Sequence, residues 1–522
     1  MNSNNRRYLY IVATIFVLTC FGIACTNAGF INQTRPMQLH LSLTDKSDEI
    51  KVTWLTKSAL PQPTVYYYSV TTSSQCDRES AVIPTDILKR LSIAIGTTTT
   101  YEKYDGFIHS VVLTNLRSSK TYCYLVGGEV TKTPPQPTST ETEASGKTDS
   151  SNIYASSWAA KWSHFTTRSQ FLADKVTFAA FADAGTRGDI FHVINAMRKD
   201  PSFSMVIHAG DLSYAQTDDV WDLFGDIIEP VSATRPYMVI PGNWDIKPFA
   251  AQAFVNRYQM PLVYPTPEIT VEHKPDGPIE TKTFYNYYYS INYTHTYIIM
   301  MSSYDPYTQG SKQYKWLESE LIKANQQRHI TPWIVVCAHS PMYSSSQGHG
   351  GSDMAFRQSI EPLFSQYKVN LVLSGHDHGY ERSFPVYDDK ILRDEKIHYS
   401  NQDGTIHVLA GTAGADSDPW LDQPAWSLLR ESTTGYTKVI AGRGSLEVIY
   451  QRYNGTIGDR FIIVKDSSSR PSQPINKSNS GSSNTTYVIF FLLCLVFIFP
   501  FCAYNKIPHK IYSYLSGRKP ND

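Results

Sequence analysis

The sequence carries no excess of charge, little cysteine in its body, and no long apolar run except at its two ends. Basic and acidic residues balance at 47 each, so no positive field gathers a nucleic-acid polymer, and none is expected as a partner. Seven cysteines are present, but Cys20 and Cys25 lie in the first apolar run and Cys494 and Cys502 in the last. The three that remain allow one bridge at most. Cys76 and Cys123 share the N-terminal region and could form it in an oxidising compartment, although connectivity is not readable from sequence. Cys337 sits inside the apolar stretch 333–338 and reads as a buried thiol.

Length and aromatic residues are what the chain has in quantity. At 522 residues it exceeds one ordinary domain, so two folded units with appendages are expected. Its 35 tyrosines suit pleated, half-buried surfaces and predict a large β content. They identify no activity.

The two ends indicate where the protein works. Arg6 and Arg7 precede an apolar run over 8–24, followed by small and polar residues; this is the layout of a cleaved secretory signal, with an uncleaved anchor as the competing reading. The second run, 487–504, is free of charge and rich in Val, Ile, Phe and Leu, near the lower end of the about 17–25 residues that a bilayer core requires. Lys506, Lys510, Arg518 and Lys519 follow it, and positive residues stay on the cytoplasmic side, which predicts a single-pass type I topology. A lipid-anchor signal would finish with its apolar tail, whereas here a basic tail continues to Asp522. Five glycosylation sequons, at Asn32, Asn292, Asn454, Asn476 and Asn484, all precede the span.

Between the ends lie two bodies and a stalk. Segments such as 39–43, 50–54 and 109–113 alternate apolar with polar residues, the pattern of short strands in a β-sandwich. The stretch 131–157 is Pro-, Thr-, Ser- and Glu-rich and reads as a flexible insert; 467–486 is similarly Ser- and Asn-rich and reads as a stalk. The central region changes rhythm. Apolar strands alternate with helical faces, Ile190-Val193-Ile194-Met197, Tyr314-Leu317-Leu321-Ala324 and Ile360-Leu363-Phe364-Tyr367, which predicts an α/β layered fold.

The chemistry is at the ends of those strands. Apolar runs lead into Asp183-Ala184-Gly185, Gly210-Asp211-Leu212-Ser213-Tyr214, Gly242-Asn243-Trp244-Asp245, His339 and Gly375-His376-Asp377-His378. In an open α/β sheet, ligands bind in the crevice beyond the carboxyl ends of the strands. Neighbouring glycines let the backbone turn sharply and come close to an ion. Singly, an Asp-x-Gly is a turn and an Asn a loop residue. In this order, each after an apolar strand, the five motifs predict a metal site.

The ordered set Asp183-x-Gly185, Gly210-Asp211-x-x-Tyr214, Gly242-Asn243, Val336-x-x-His339 and Gly375-His376-x-His378 resembles the calcineurin-like metallophosphoesterases. Tyr214, three residues after Asp211, narrows the resemblance to the purple acid phosphatases, and the N-terminal sandwich is similar to the fibronectin-like domain of their large plant-type members. The resemblance implies a four-layer metallophosphoesterase sandwich, two β-sheets flanked by helices, preceded by an all-β fibronectin III-like domain; the apolar run 487–504 adds one C-terminal transmembrane helix. The expected boundaries are a signal peptide 1–29, the β domain 30–168, the catalytic domain 169–466, the stalk 467–486, the span 487–504 and a cytoplasmic tail 505–522.

Residue by residue, the resemblance implies a ferric ion held by Asp183, Asp211, Tyr214 and His378, and a divalent ion, iron, zinc or manganese, held by Asp211, Asn243, His339 and His376. Asp211 bridges them. Hard carboxylate and phenolate oxygens suit trivalent iron, while imidazole and amide oxygen suit a borderline divalent ion. A metal-bound hydroxide would attack phosphorus in line, and His349, ten residues after His339, matches a substrate-contacting position. The implied activity is acid phosphatase action on small phosphomonoesters, on the extracellular or lumenal side of a plasma, vacuolar or lysosomal membrane, with a homodimer left open. Nucleotide phosphodiesters or pyrophosphates are the neighbouring substrate classes. One position departs from the pattern: Trp244 stands where the family carries a histidine that contacts substrate phosphate and assists protonation. Trp offers one N–H and no titratable group, so a weakly catalytic, membrane-tethered binding protein is the contrasting reading.

Overall fold

Alternation along the N-terminal strands buries Ile50, Val52 and Trp54 and leaves Lys51 only half-buried. Two four-stranded antiparallel sheets result. One runs Met37–Leu43, Ile50–Thr56, Phe107–Leu113, Thr97–Thr99, and the other Ser92–Ile95, Pro63–Val70, Thr121–Gly128, Ser163–Thr166. Val52, Trp54 and Val111 from the first share a core with Val65, Tyr66 and Tyr124 from the second. The computed structural model describes residues 35–77, 83, 85–128, 158–169, 173–263, 268–272, 280–284 and 287–466. The expected signal peptide, the 131–157 insert, the stalk, the 487–504 span and the tail all lie outside the described residues. Among the described residues no helix is long and apolar enough to cross a membrane. Cys76 and Cys123 are joined in a disulfide, and Cys337 is a free, buried thiol.

The central region forms two seven-stranded sheets. The first runs Tyr237–Ile240, Val206–Ala209, Lys175–Phe181, Gly435–Gly442, Ser445–Arg452, Ile457–Val464, His398–Ser400. Its first three strands are parallel, and Gly435–Gly442 joins them antiparallel. The second runs Tyr289–Tyr293, Thr296–Met300, Trp333–Cys337, Leu371–Ser374, Ile406–Ala410, Tyr380–Ser383, Ser427–Glu431, with four parallel strands at its centre. Period-two alternation divides the strands Thr296–Met300, Trp333–Cys337 and Leu371–Ser374 between two cores. Trp333, Val335 and Cys337 face the core shared with the first sheet, while Ile334 and Val336 face a second core.

Among the described residues there are five α-helices, and the first, fourth and fifth carry the predicted apolar faces. The five are α1 (Ile190–Lys199), α2 (Asp218–Ser232), α3 (Pro248–Arg257), α4 (Lys312–Gln326) and α5 (Met354–Gln366). Ile190, Val193, Ile194 and Met197 of α1 are buried in the first core, whereas Leu317, Leu321, Phe356 and Ile360 of α4 and α5 fill the second. Ser311 and Asp353 cap α4 and α5, accepting from the Tyr314 and Phe356 amides. Tyr367 falls one residue beyond α5, as its C-cap.

The β domain buttresses α2, the helix that follows Asp211 and Tyr214. The Gln38 amide donates to Glu229 at 2.7 Å and Ser232 Oγ to the Leu39 carbonyl at 2.7 Å. Arg257, only 4% exposed, donates to Asp222 at 2.8 Å beneath the Tyr104 ring. The loop carrying two candidate ligands is therefore supported from behind by the N-terminal body.

One buried group has a measurable cost. His407 lies in the second sheet with both ring nitrogens lacking a hydrogen-bond partner among the described residues, and burial, aided by the nearby Arg357 charge, pushes its pKa down to about 3. Because the folded value lies below the free value near 6.5, the stability that goes with the neutral ring is present above pH 6.5 and is lost as pH falls toward 3. His407→Leu is expected to raise stability by about 1–2 kcal/mol at neutral pH by removing the unpaired polar atoms. Its advantage grows in acid, as urea unfolding at pH 7 and pH 4.5 would show; equal midpoints for variant and parent at both values would refute this.

Candidate metal centre

Five strands end at the predicted motifs. Lys175–Phe181 leads to Asp183, Val206–Ala209 to Asp211 and Tyr214, Tyr237–Ile240 to Asn243, Trp333–Cys337 to His339, and Leu371–Ser374 to His376 and His378. The strand-end segments are tied together through the backbone. The amides of Asp183, Ala184 and Gly185 donate to the carbonyls of Gly210, Asp211 and Leu212, and the Gly375 amide donates to His339. Asp183 (φ 60°), Asp211 (53°), Tyr214 (52°) and His376 (76°) all adopt left-handed backbone, which costs of order 1–3 kcal/mol each and persists only where surroundings enforce it. A Cβ on Gly242 would run into the Asp211 carboxylate, so that position is restricted to glycine by close approach.

All seven sequence-predicted ligands are brought together, in two overlapping groups. Tyr214 Oη lies 3.2 Å from Asp183 Oδ1 and 3.0 Å from His378 Nε2. Asn243 Oδ1 lies 3.2 Å from His339 Nε2 and 3.0 Å from His376 Nδ1. Asp211 Oδ1 sits 3.5 Å from His339 Nε2, and Asp183 Oδ1 sits 4.0 Å from it. Asp183 and His339 are fully buried and Asp211 is 2% exposed.

The electrostatics of the cluster follow from its burial. His339 Nδ1 donates to the Ala209 carbonyl at 2.7 Å, which leaves Nε2 unprotonated in the neutral ring and aimed at two oxygens, Asn243 Oδ1 and Asp211 Oδ1. His378 Nδ1 likewise donates to the Asp416 carbonyl at 2.9 Å, and its Nε2 faces Tyr214 and Asp183. Lone pairs pointing at one another repel, and a cation between them reverses the sign. Burial, with the Asp211 charge adding to it, drives the Asp183 carboxyl well above the usual range; burial takes Asp211 up to about 6. Burial also holds the His339 and His376 rings neutral, pushing both down to about 3. Tyr214 is raised by burial and by the two carboxylates. Carboxylate and phenol oxygen on one side, amide oxygen and imidazole on the other, fit a hard ion and a borderline one.

The remaining predicted residues line this cage. His349 stacks on His376 with ring centroids 3.8 Å apart, and its Nδ1 donates to the buried Asp377 at 3.0 Å, which leaves Nε2 for substrate. Trp244 donates its backbone amide to Asp211 Oδ1 at 2.9 Å, and its ring stands edge-on to Tyr214 at 5.7 Å. Asp245 is a structural staple, its buried carboxylate accepting from the Gly242 amide at 2.8 Å and the Leu212 amide at 3.2 Å.

Three neighbours escaped the sequence reading. Tyr304 follows a sixth strand, Thr296–Met300, and reaches Asn243 Oδ1 at 3.3 Å; a polar residue past another apolar strand was its only signal. Asp377, the middle residue of Gly375-His376-Asp377-His378, orients His349. Asp418 receives the His378 amide at 2.8 Å from a loop with no motif. Beside Tyr214 opens a cleft of about 550 Å³ lined by Thr186, Arg187, Ser213, Gln216, Thr217 and Asp416 among others.

Residues 36–167 match the model for the purple acid phosphatase N-terminal domain, 176–380 that for the calcineurin-like phosphoesterases, and 404–460 that for the iron/zinc purple acid phosphatase-like protein C region. Probable purple acid phosphatase 20 of Arabidopsis thaliana is 29% identical, over 78% of this chain and 82% of its own length. Fe(3+)-Zn(2+) purple acid phosphatase 12 of the same plant is 27% identical over 77% of each chain. Probable inactive purple acid phosphatase 27, also from Arabidopsis thaliana, is 26% identical over 84% of this chain and 71% of its own. Among solved structures, a purple acid phosphatase from yellow lupin (Lupinus luteus) seeds superposes with a TM-score of 0.68 at 21% identity, covering 86% of this chain and 77% of that one. At that identity the superposition speaks for the fold.

Proposed function

We infer that this chain is a purple acid phosphatase, a metal-dependent phosphatase with a dinuclear centre, a reading supported by the three family-model matches and the curated relatives. We propose that Asp183, Asp211, Tyr214 and His378 hold a ferric ion in it, and that Asp211, Asn243, His339 and His376 hold a divalent ion, iron, zinc or manganese. The observation that carries this assignment is the convergence of the His339 Nε2, Asn243 Oδ1 and Asp211 Oδ1 atoms in one buried cluster, a donor set that fits a cation. Ions bound there would supply the charge that orients a phosphate, acidifies water and offsets the negative charge developing at phosphorus.

The side chains do the rest. Asp211 shares its carboxylate between the two groups while the Trp244 amide fixes one of its oxygens. Asp377 fixes the His349 ring, so that Nε2 is the atom able to donate a proton to the leaving oxygen. The cleft beside Tyr214 gives room for the alcohol portion of a small phosphomonoester. Hydrolysis of p-nitrophenyl phosphate and bis(p-nitrophenyl) phosphate by the metal-loaded protein, from pH 4 to pH 8, tests this reading. Faster monoester turnover is expected, and a preference for the diester would move the protein to the phosphodiesterase class.

Colour is a second test. A phenolate bound to ferric iron absorbs in the visible, so the iron-loaded protein is expected to be coloured and Tyr214→Phe to lose most of that band while keeping the fold. A Tyr214→Phe spectrum identical to the parent's would remove Tyr214 from the centre.

We further place the catalytic body on the outer or lumenal side of a membrane, tethered by 487–504 through the stalk, with 1–29 cleaved. The Cys76–Cys123 disulfide supports an oxidising compartment. Sequons at the exposed Asn292 and Asn454 accord with it.

A further inference from the structure

Lys247 stands at the N-terminus of α3, immediately before Pro248, with an exposed side chain. Neither local stability nor pairing accounts for a cation there. The N-terminal end of a helix is its positive end and disfavours added positive charge, and among the described residues no carboxylate lies within ion-pair distance of Lys247. Its ammonium instead lies on the face of Trp244, 2.8 Å from the ring centroid, a cation–π seat. Trp244 itself is fixed on both sides, by its backbone amide on Asp211 and by its edge contact with Tyr214. The ring thus seats the ammonium on a residue that itself touches Asp211 and Tyr214.

We propose that Lys247, seated on Trp244, is a substrate-positioning residue that donates to a phosphoryl oxygen of the substrate. The pair places a hydrogen-bond donor at position 244, where this chain carries a tryptophan in place of the imidazole that the family resemblance implies. An ammonium offers three donors and no acceptor, so its part is to hold the oxygen. A donor of this kind grips the ground state and the transition state alike, which lowers KM and leaves kcat nearly unchanged. The inference rests on the phosphatase reading above, and the following experiment separates the two.

Metal-loaded full chain, its Lys247→Met variant and its Lys247→Arg variant are titrated with inorganic phosphate by calorimetry and assayed with p-nitrophenyl phosphate. Methionine keeps an unbranched apolar stem over the ring and removes only the charge. Lys247→Met is expected to weaken phosphate binding and raise KM by about tenfold, the scale of one charge-assisted hydrogen bond, with kcat within about twofold of the parent. Lys247→Arg is expected to recover most of the loss. Phosphate binding by Lys247→Met equal to the parent's would overturn the proposal, as would a metal-loaded parent that binds no phosphate. A parent that binds phosphate through Lys247 yet turns over no phosphoester would instead overturn the phosphatase reading and leave the positioning role standing.

Discussion

Asp211→Ala is expected to abolish phosphomonoester hydrolysis, by well over the about 100-fold that removing an outer partner of a metal centre costs. The proposed assignment makes its carboxylate the ligand shared by both ions, so the substitution unmakes the shared edge of the site. Hydrolysis by Asp211→Ala at the parent's rate would sink the two-ion mechanism. A fold control accompanies it. In metal-free protein the Asp211 carboxyl is raised to about 6 by burial, above its free value near 3.9. A raised acid holds its proton longer in the folded state, so folded-state stability falls as pH rises from about 4 through about 6. Metal-free Asp211→Asn, which has no charge to bury, is therefore expected to gain stability over the metal-free parent at pH 8 and little at pH 4. Inactivity combined with that gain separates loss of the site from loss of the fold.

Trp244→His is expected to raise kcat by about tenfold, within the 10–100-fold that second-layer partners command. The imidazole returns a group that titrates near pH 6.5 beside the phosphate, so the gain should appear with a new acid-to-neutral dependence of kcat. KM is expected to rise at the same time, because Lys247 loses the ring it rests on. A kcat unchanged at every pH would mean that His349, held by Asp377, already supplies the proton transfer and that Trp244 costs the enzyme nothing. A matching gain in Trp244→Phe would show that bulk, not the imidazole, had been the obstacle.

Much of the site was legible because of how an α/β sheet is written. Strands covered on both faces read as unbroken apolar runs, so Asp183, Asp211, Asn243, His339 and His376 stand out where those runs stop. Tyr214 was legible only through its spacing to Asp211 within the family pattern; nothing else singles it out from 34 other tyrosines. Tyr304 has no such spacing and stayed invisible. So did the His349–Asp377 bond, because its partners are 28 positions apart and neither residue type is rare. The antiparallel insertion of Gly435–Gly442 between Lys175–Phe181 and Ser445–Arg452 could not be read either, since strand order depends on contacts that alternation does not encode.

The order of residues was enough to establish the ligand types, the strand ends they occupy, the apolar helix faces and the substitution at 244. Those are properties of a residue and its chain neighbours. Folding alone settled the pairing of Cys76 with Cys123, the left-handed backbone that turns Asp183, Asp211, Tyr214 and His376 inward, and the tautomers that leave Nε2 of His339 and His378 facing oxygen. Folding also laid Lys247 across Trp244. Each of these is a relation in space between groups whose distance and direction are set by packing of the whole core, which no local stretch of sequence contains.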